Sequence, residues 1–313
     1  MATHEILTTA MPTDPYVNEV APHAYAYVQP DGTWWINNTG FIVGRDGVTL
    51  IDTCSTERRT RDMLAAVRSV TDAPLRHVVN THHHGDHTHG NYLTAPAAII
   101  GHRACRDLML ATGIDHYVTA FEQPDWGRLE FVAPSITFES RLDIWADDLR
   151  IELHSMGGPA HTTNDVVAWL PEERVLYTGD LVFHGGTPFV LMGSVSGSFA
   201  AIDRLRAFEA KVIVPGHGPV CGPEVLDVIE RYLHFVQKLA GDAHRSGTPP
   251  FEAACSADLG EFAALTDSER LVGNLHRAMA ELDGVPEGGR IHLGRAIADM
   301  VRYNNGELLR CCA

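Results

Sequence analysis

The chain has 313 residues and a formal net charge of −16, and 45% of its residues are hydrophobic while 20% are charged. This length is ample for one large domain, or for one domain with a smaller companion. The balance is that of a soluble globular protein, and the negative charge argues against binding RNA or an anionic membrane surface. Arginine supplies most of the positive charge, because Lys211 and Lys238 are the only lysines.

The beginning of the chain and its cysteines bear on the cellular compartment. Residues 1–17 carry prolines and threonines, and we expect a loose N-terminal arm there. We expect no secretory signal, since a basic start and a sustained apolar stretch are both missing, and no segment is apolar enough to span a bilayer. The six cysteines show no CxxC spacing, which predicts neither a disulfide framework nor a zinc ribbon. These features favour a cytoplasmic protein.

The first predicted element is a hairpin over residues 41–51, with an Asp-Gly turn at its centre. A helix follows Ser55, and the apolar residues 78–79 then predict a buried strand. Residues 102–112 are predicted to form another helix. Residues 114–134 are irregular and aromatic, and we consider two interpretations: a packed surface loop, or a lid that supplies aromatic contacts to a substrate.

Strands dominate the middle of the chain and helices dominate its end. Helices are predicted over residues 199–210, 223–240, 250–264, 268–282 and 289–303, from apolar residues at helical spacing. We therefore expect a core over residues 18–222, with residues 114–134 as an insertion, and a helical extension over residues 223–313 packed on that core.

Residues 81–87 contain the pattern His-x-His-x-Asp-His directly after the predicted strand. In an extended loop alternate side chains share a face, so His82 and His84 can reach one metal ion. Asp86 and His87 then point elsewhere and can serve a second ion. Imidazole and carboxylate are the usual nitrogen and oxygen ligands of catalytic zinc. The alternative is a histidine-rich surface loop that collects metal without a function.

Three later segments place further ligand candidates where a predicted strand ends. His161 follows a glycine-rich turn, Asp180 ends an apolar strand, and His217 lies between two glycines after another strand. Each of them alone is explained as a capping or turn residue. Four such segments in one chain favour a shared metal site.

The order of these residues resembles the metallo-β-lactamase superfamily, over roughly residues 34–222. The resemblance implies an α+β fold, an αββα sandwich with two sheets face to face, helices outside and metals at one edge. It also implies two Zn²⁺ ions. One would be held by His82, His84 and His161 and the other by Asp86, His87 and His217, while Asp180 bridges both, and Asp86 and Asp180 would be the catalytic carboxylates.

Other polar residues near the ligands have two interpretations each. Asp52 ends a strand beside the histidine loop, and is either a turn residue that leads a helix or an acceptor for a ligand histidine. Asp165, four residues after His161, could order that turn in the same way. The family pattern gives His83 and His89 no ligand role, and we expect both to be bystanders or neighbours of the ligands.

Comparison with two branches of the superfamily narrows the range of activities that the resemblance implies. True β-lactamases of the superfamily usually lack an aspartate at the position of Asp180, which argues against antibiotic hydrolysis. The diiron flavoproteins of the superfamily typically carry glutamate where His84 stands, and no flavin domain follows here. An imidazole at that position is compatible with zinc.

A narrower resemblance runs from about Tyr25 to Tyr303, to the metallo-β-lactamase-fold cyclases of aromatic type II polyketide pathways, the actinorhodin type. The stretches that carry it are residues 79–82, 158–162, 166–176, 187–189, 193–195, 216–220 and 274–278. The resemblance implies a cyclase and thioesterase that closes a further ring of a partly cyclised polyketide and releases it from its thioester. Its partner would be a polyketide thioester, carried on an acyl carrier protein. Zinc as a Lewis acid would stabilise the enolate or oxyanion that this chemistry needs.

A cyclised polyketide is flat and mostly apolar, and we expect Trp126, Phe131, Phe189 and Met192 to contact it. The alternative is a generic two-zinc hydrolase of a thioester or lactone, either glyoxalase II-like or a lactonase, with the same seven ligands. A metal-stabilised scaffold without turnover is a third interpretation, and the complete ligand set argues against it. Ring regiochemistry and oligomeric state, a homodimer included, are left open.

Overall fold

The computed structural model describes residues 14–114 and 119–313. Most of the predicted arm, residues 1–13, lies outside the described residues, as do residues 115–118 of the predicted insertion. Strand β1 (Tyr16–Ala21) already begins within the last two residues assigned to that arm. In the part that the structure describes, no helix has the length and apolar character needed to cross a membrane.

Two mixed β-sheets form the centre of the described chain. The larger has the order β1, β2 (Ala24–Val28), β3 (Thr39–Gly44), β4 (Gly47–Ile51), β5 (Leu75–Asn80), β6 (Ala98–His102), β7 (Ile136–Phe138). Its pairs from β1 to β4 are antiparallel and those from β4 to β7 are parallel. The smaller has the order β12 (Val212–His217), β11 (Val175–Phe183), β10 (Val166–Leu170), β9 (Leu149–Ser155), β8 (Arg141–Ala146). Only its β11–β12 pair is parallel.

Helices cover the outer faces of the sheets. They are α1 (Glu57–Val70), α2 (Gly85–Thr88), α3 (Arg103–Thr112), α4 (Val195–Ala207), α5 (Val225–Ser246), α6 (Pro250–Ser256), α7 (Arg270–Leu282) and α8 (Leu293–Tyr303). Short 3₁₀ helices follow at His89–Thr94 and Gly260–Ala264. Within the described ranges, helix α6 therefore ends earlier than the predicted helix over residues 250–264, and α5 continues six residues beyond residue 240.

The apolar core lies in three layers. Between the sheets, Ile42 and Val79 of the larger sheet meet Leu153 and Val166 of the smaller. Each fully buried side chain of this size contributes roughly 1.5–3 kcal/mol to the stability of the fold. This inner layer fixes the two sheets face to face.

The outer layers complete the sandwich. Helix α1 packs on the larger sheet, with Met63 against Phe41. Helices α4, α5 and α7 join the outer face of the smaller sheet in one cluster that includes Trp169 and Leu233. The αββα fold class is thereby confirmed. The domain boundaries at residues 17 and 222 stay a prediction, because the helices after residue 223 share one core with the smaller sheet.

The buried side chain of Asn274 bonds to the loop between β11 and α4 at two points. Asn274 of α7 donates from Nδ2 to Pro188 O (2.7 Å) and to Tyr232 Oη (3.0 Å), and its Oδ1 accepts from Val190 N (2.9 Å). Asn274 is fully buried, so none of these bonds competes with water. Helices α5 and α7 thus fix this loop.

We predict that Asn274→Ala lowers the free energy of unfolding by at least about 3 kcal/mol, because three buried polar groups lose their partner at about 1–3 kcal/mol each. Chemical denaturation of the full chain measures this. The matched control is Asn304→Ala, which removes a half-buried asparagine at the end of α8 and should cost under about 1 kcal/mol. Equal losses of unfolding free energy in the two variants would show that Asn274 does not hold the loop between β11 and α4.

Candidate metal centre

Seven histidine and aspartate side chains converge at one edge of the sandwich. Two clusters are formed, one of His82, His84, His161 and Asp180, and one of Asp86, His87, Asp180 and His217. Within each cluster the candidate ligand atoms all lie within 4.8 Å of one another. The structure therefore brings together all seven residues that the sequence proposed as ligands, in the same two groups, with Asp180 shared.

Asp180 lies between the two clusters. Its Oδ1 is 3.0 Å from His87 Nε2, and its Oδ2 is 3.4 Å from both His161 Nε2 and His217 Nε2. A carboxylate in this position can face two cations at once and screen their repulsion, as in two-metal sites generally. Asp86 is the second carboxylate of the cluster that contains His217, and its Oδ2 lies 3.3 Å from His217 Nε2.

Two glycines make room for Asp180. A Cβ at Gly216 of β12 would lie 2.0 Å from Asp180 Oδ1, so any larger residue would displace the carboxylate. Gly179 has φ +51°, a conformation that favours glycine, and its Cβ would lie 2.5 Å from Thr81 Oγ1. These two positions allow β11 to approach β12 and the histidine loop closely.

Backbone carbonyls orient two of the ligand histidines. His161 donates from Nδ1 to Phe189 O at 2.5 Å, and His217 donates from Nδ1 to Gly32 O at 3.2 Å. A histidine that donates from Nδ1 keeps Nε2 as the nitrogen that can bind a metal. The loop that Asn274 fixes therefore also fixes His161.

Asp52 orients ligands of both clusters. Its Oδ2 accepts from His87 Nδ1 (2.8 Å) and Thr81 Oγ1 (2.7 Å), while its Oδ1 accepts from Thr81 N (2.7 Å). Thr81 Oγ1 lies 3.1 Å from His82 Nδ1, from which it can accept. Asp52 also has φ +63°, a conformation that costs a residue other than glycine on the order of 1–3 kcal/mol. Of its two interpretations, the geometry matches the acceptor for a ligand histidine.

The other polar candidates lie around the clusters. Asp165 accepts from Thr162 N (2.9 Å) and Thr162 Oγ1 (2.6 Å), which orders the turn that carries His161. His83 pairs with Asn164 Nδ2 at 3.1 Å. His89 Nδ1 lies 3.2 Å from a backbone carbonyl of residue 55. Neither His83 nor His89 belongs to a cluster.

The charges in the centre balance one another. Burial alone would raise the pKa of Asp180, but His217 and His87 hold it well below its usual range. Burial alone would lower the pKa of His217, yet Asp180 and Asp86 raise it to about 9. Asp180 likewise raises the pKa of His87 well above its ordinary value. Burial lowers the pKa of His82 well below its ordinary value. Protons on His87 and His217 therefore neutralise the negative charge of the carboxylates, which bound metal cations would otherwise neutralise.

The donors at the centre fit metal ions better than they fit each other. Two of their buried atoms have no polar partner in hydrogen-bond geometry, namely His82 Nε2 and His84 Nε2, while His87 Nε2 and Asp180 Oδ1 meet each other only as an ion pair at 3.0 Å. A buried polar atom without a partner costs roughly 1–3 kcal/mol, and a coordinated cation would remove that cost. Nitrogen and carboxylate oxygen donors suit divalent zinc, and other transition metals of similar preference.

The centre opens into an apolar cleft, which together with the solvent space at its mouth measures about 690 Å³. Aromatic residues from several elements line it, and so do residues of the last helices: Trp34, Trp35, Phe121, Phe183, Phe189, Leu191, Met192, Arg270, Leu293, Ile297, Met300 and Leu309. Two of the predicted substrate contacts, Phe189 and Met192, are among them. Phe131 lies in an adjoining chamber. Trp126 packs behind the cleft wall, with its ring 5.1 Å from the ring of Trp35.

Arg270 is the main polar residue of the cleft wall that the sequence analysis missed. Its guanidinium lies 4.1 Å above the Trp34 ring and 4.9 Å from the Phe183 ring. It donates to Thr187 O at 3.0 Å and pairs with Asp267 at 2.8 Å. These contacts hold aromatic rings of separate segments in one wall. The adjacent Trp34-Trp35 pair was a usable signal in the sequence, whereas Arg270 carried none.

Fold and site together define the class of protein. Residues 32–217 match the family described as the Metallo-beta-lactamase superfamily, and the chain belongs to that superfamily. A solved structure with a similar fold is "Metallo-beta-lactamase from Pontibacter korlensis", whose sequence is 20% identical to this chain. The two superpose with a TM-score of 0.60 over 70% of this chain and 99% of that one. The chain is accordingly a metallo-β-lactamase superfamily member with groups that could hold two metal ions.

Curated relatives have diverse activities. The linear primary-alkylsulfatase of a Pseudomonas species is 27% identical, over 61% of this chain and 43% of its own. A hydroxyacylglutathione hydrolase of Rhodospirillum rubrum is 28% identical, over 52% of this chain and 53% of its own. The atrochrysone carboxyl ACP thioesterase AgnL7 of Paecilomyces divaricatus is 28% identical, over 67% of this chain and 60% of its own. The chain spans about half the length of these relatives.

We predict that Asp52→Asn weakens metal binding 10- to 100-fold, the usual effect of removing a group that orients a ligand histidine. Asparagine has the same shape and tolerates the left-handed backbone at this position, so the fold should survive. Competition with a chelator of known affinity measures the change. The control is Asp147→Asn, which lies far from the centre at φ +55° and should bind metal like the wild type. Unchanged metal affinity in Asp52→Asn would show that Asp52 is not needed to orient the metal ligands.

Proposed function

We propose that this protein is a dinuclear zinc-dependent polyketide cyclase and thioesterase, which closes a further ring of a partly cyclised aromatic polyketide and releases it from its thioester. The observation that carries the proposal is the junction of two His/Asp clusters with an apolar, aromatic cleft. A site for a small polar thioester has no need of such walls. The thioesterase relative acts, by its name, on an acyl group carried by ACP, which supports this substrate class.

The centre would hold one ion on His82, His84 and His161 and the other on Asp86, His87 and His217, with Asp180 between them. Bound Zn²⁺ would supply Lewis-acid polarisation of a carbonyl oxygen and would acidify water at neutral pH. Asp86 is the more exposed of the two carboxylates, with its side chain 12% accessible against 5% for Asp180. We assign to Asp86 the role of general base, which accepts a proton from the substrate α-carbon in ring closure and from the attacking water in release.

The cleft walls position the substrate and limit water. The ring of Trp34 meets Phe121 at 5.2 Å and Phe189 at 5.0 Å, both edge to face. Trp34 is held in turn by donation from Nε1 to Glu269 Oε1 at 2.6 Å. Flat aromatic substrates pack well on such rings, and a water-poor wall strengthens every charge interaction at the reacting carbonyl.

The overall reaction needs no oxidant or reductant. In ring closure the α-carbon of one β-ketone unit bonds to a ketone carbon further along the chain, and one water molecule is then lost. In release, water cleaves the C–S bond, which gives a carboxylic acid and the free thiol of the carrier. Both steps start from one carbonyl placed at the clusters, and both use a proton acceptor beside it. The proposed carrier is an acyl carrier protein, and the proposed compartment is the cytoplasm.

A generic two-zinc thioester hydrolase is the second candidate. The hydroxyacylglutathione hydrolase relative favours it, since that protein's name describes cleavage of a small thioester. The two candidates share all seven candidate ligands and differ in what fills the cleft.

The test is incubation of the zinc-loaded full chain with a bicyclic β-ketothioester mimic, followed by mass and absorbance. We expect a dehydrated, further cyclised product whose formation stops with chelator and falls at least 100-fold in Asp180→Asn, because the charge between two cations is lost. Hydrolysis to an open acid, at a rate that unrelated thioesters match, would refute the cyclase and leave the thioesterase. Turnover of a simple lactone with none of the mimic would favour a lactonase instead.

A further inference from the structure

A second, larger chamber adjoins the metal cleft. Together with the solvent space at its mouth it measures about 1610 Å³, and Met192 and Leu293 line both it and the cleft. The ligand loop also separates the two spaces, since His84 faces the cleft while its neighbours His83 and Gly85 face the chamber. The chamber therefore lies next to the cleft, and Met192 and Leu293 stand on the boundary between the two spaces.

The walls of this outer chamber are mainly apolar. They include Leu108 and Ile114 at the end of α3, Phe131 and Val132 on the opposite side, and Ile291 before α8. Ile114 is 37% exposed, Phe131 41% and Val132 36%, so several of the chain's exposed large hydrophobic side chains gather here. A contiguous exposed apolar surface next to a catalytic centre is typical of a ligand-binding groove.

A buried guanidinium ties together the two segments that lie between the cleft and the chamber. Arg277, 2% exposed, donates from Nε to Leu191 O and from Nη1 to Gly289 O, both at 2.9 Å. The two carbonyls lie next to Met192 and near Leu293. Gly288 N also donates to Gly193 O at 3.2 Å. The boundary between the two spaces is therefore held by hydrogen bonds and is not a contact between loose side chains.

We propose that the outer chamber binds the apolar body of an elongated acyl group, whose thioester carbonyl lies at the metal clusters and whose chain runs between Met192 and Leu293. This rests on the proposed thioester chemistry and adds the direction in which the substrate lies. The acyl body is the occupant because most of the exposed wall is apolar, and polar side chains such as Glu130, Thr163 and Arg290 form its smaller part.

The test compares two thioesters of N-acetylcysteamine, one with an acetyl group and one with a 6-(2-naphthyl)hexanoyl group. We expect the wild type to favour the long substrate at least tenfold in kcat/KM. Ile291→Trp fills the chamber from one side and Leu108→Trp fills it from the other. Each should lower the ratio of long to short kcat/KM at least tenfold. The control is Leu110→Trp, which adds the same ring at a position on α3 that is 54% exposed and outside the chamber.

A binding measurement keeps this proposal separate from the proposed function. The S-[6-(2-naphthyl)hexyl] thioether of N-acetylcysteamine cannot react, and its calorimetric titration requires no turnover. Weaker binding in Ile291→Trp and Leu108→Trp, with Leu110→Trp unchanged, supports the chamber even if no thioester is cleaved, in which case only the proposed function fails. A long-to-short ratio and an affinity that both stay at wild-type values in these folded variants would overturn the chamber.

Discussion

The buried carboxylate of Asp52 is the interaction on which the centre depends. It ends β4 in a left-handed conformation and accepts three hydrogen bonds, from His87 Nδ1, Thr81 Oγ1 and Thr81 N. A carboxylate without partners at this depth would cost far more than the fold could offset, so these donors are what makes its burial tolerable. Through His87 it orients one cluster, and through Thr81 and His82 it orients the other.

The sandwich explains why such a centre forms at its edge. Asn38 N donates to Gly216 O at 2.7 Å and Val166 N donates to Thr81 O at 2.8 Å, so segments of the two sheets are joined beside the ligands. Asp180 then reaches both clusters because Gly216 leaves space on the neighbouring strand. The charge balance follows from this geometry. Carboxylates brought together by the fold raise the pKa of His87 and His217 until a cation replaces their protons.

The ligand set could be predicted from the sequence because its members occupy strand ends in local patterns. The residues 81–87 show their spacing within one loop, and His161, Asp180 and His217 each follow an apolar run. The αββα class followed from the same resemblance. The strand-end positions of the ligands depend on neighbours in the chain, which a sequence shows, whereas the fold class rests on the family resemblance.

Apart from Phe189 and Met192, the walls of the cleft could not be predicted, because they come from elements far apart in the chain. Arg270 and Leu309 meet Trp34 only after the helices fold back over the smaller sheet. Trp126 was expected to contact substrate, but it packs against Trp35.

The end of helix α6, earlier than predicted, has a local cause. The Asp258 side chain accepts from Gly260 N at 3.0 Å, and this bond competes with continuation of the helix.

The end of α5 shows which glycine stops a helix. Gly247 has φ +69° and closes the helix in the left-handed conformation, six residues beyond the predicted end at residue 240. The extra residues continue the packed face of α5, which buries Ala240 and Ala243.

The most direct test of this account is a calorimetric zinc titration of the metal-free full chain at pH 7.5, repeated in buffers of different ionisation enthalpy. Zinc needs neutral histidines, and His87 and His217 carry raised pKa values, so binding must expel protons. We predict two ions per chain with net proton release, and an affinity that falls as the pH falls. At most one ion, or a heat of binding that is the same in every buffer, would contradict a paired centre organised by Asp52 and Asp180.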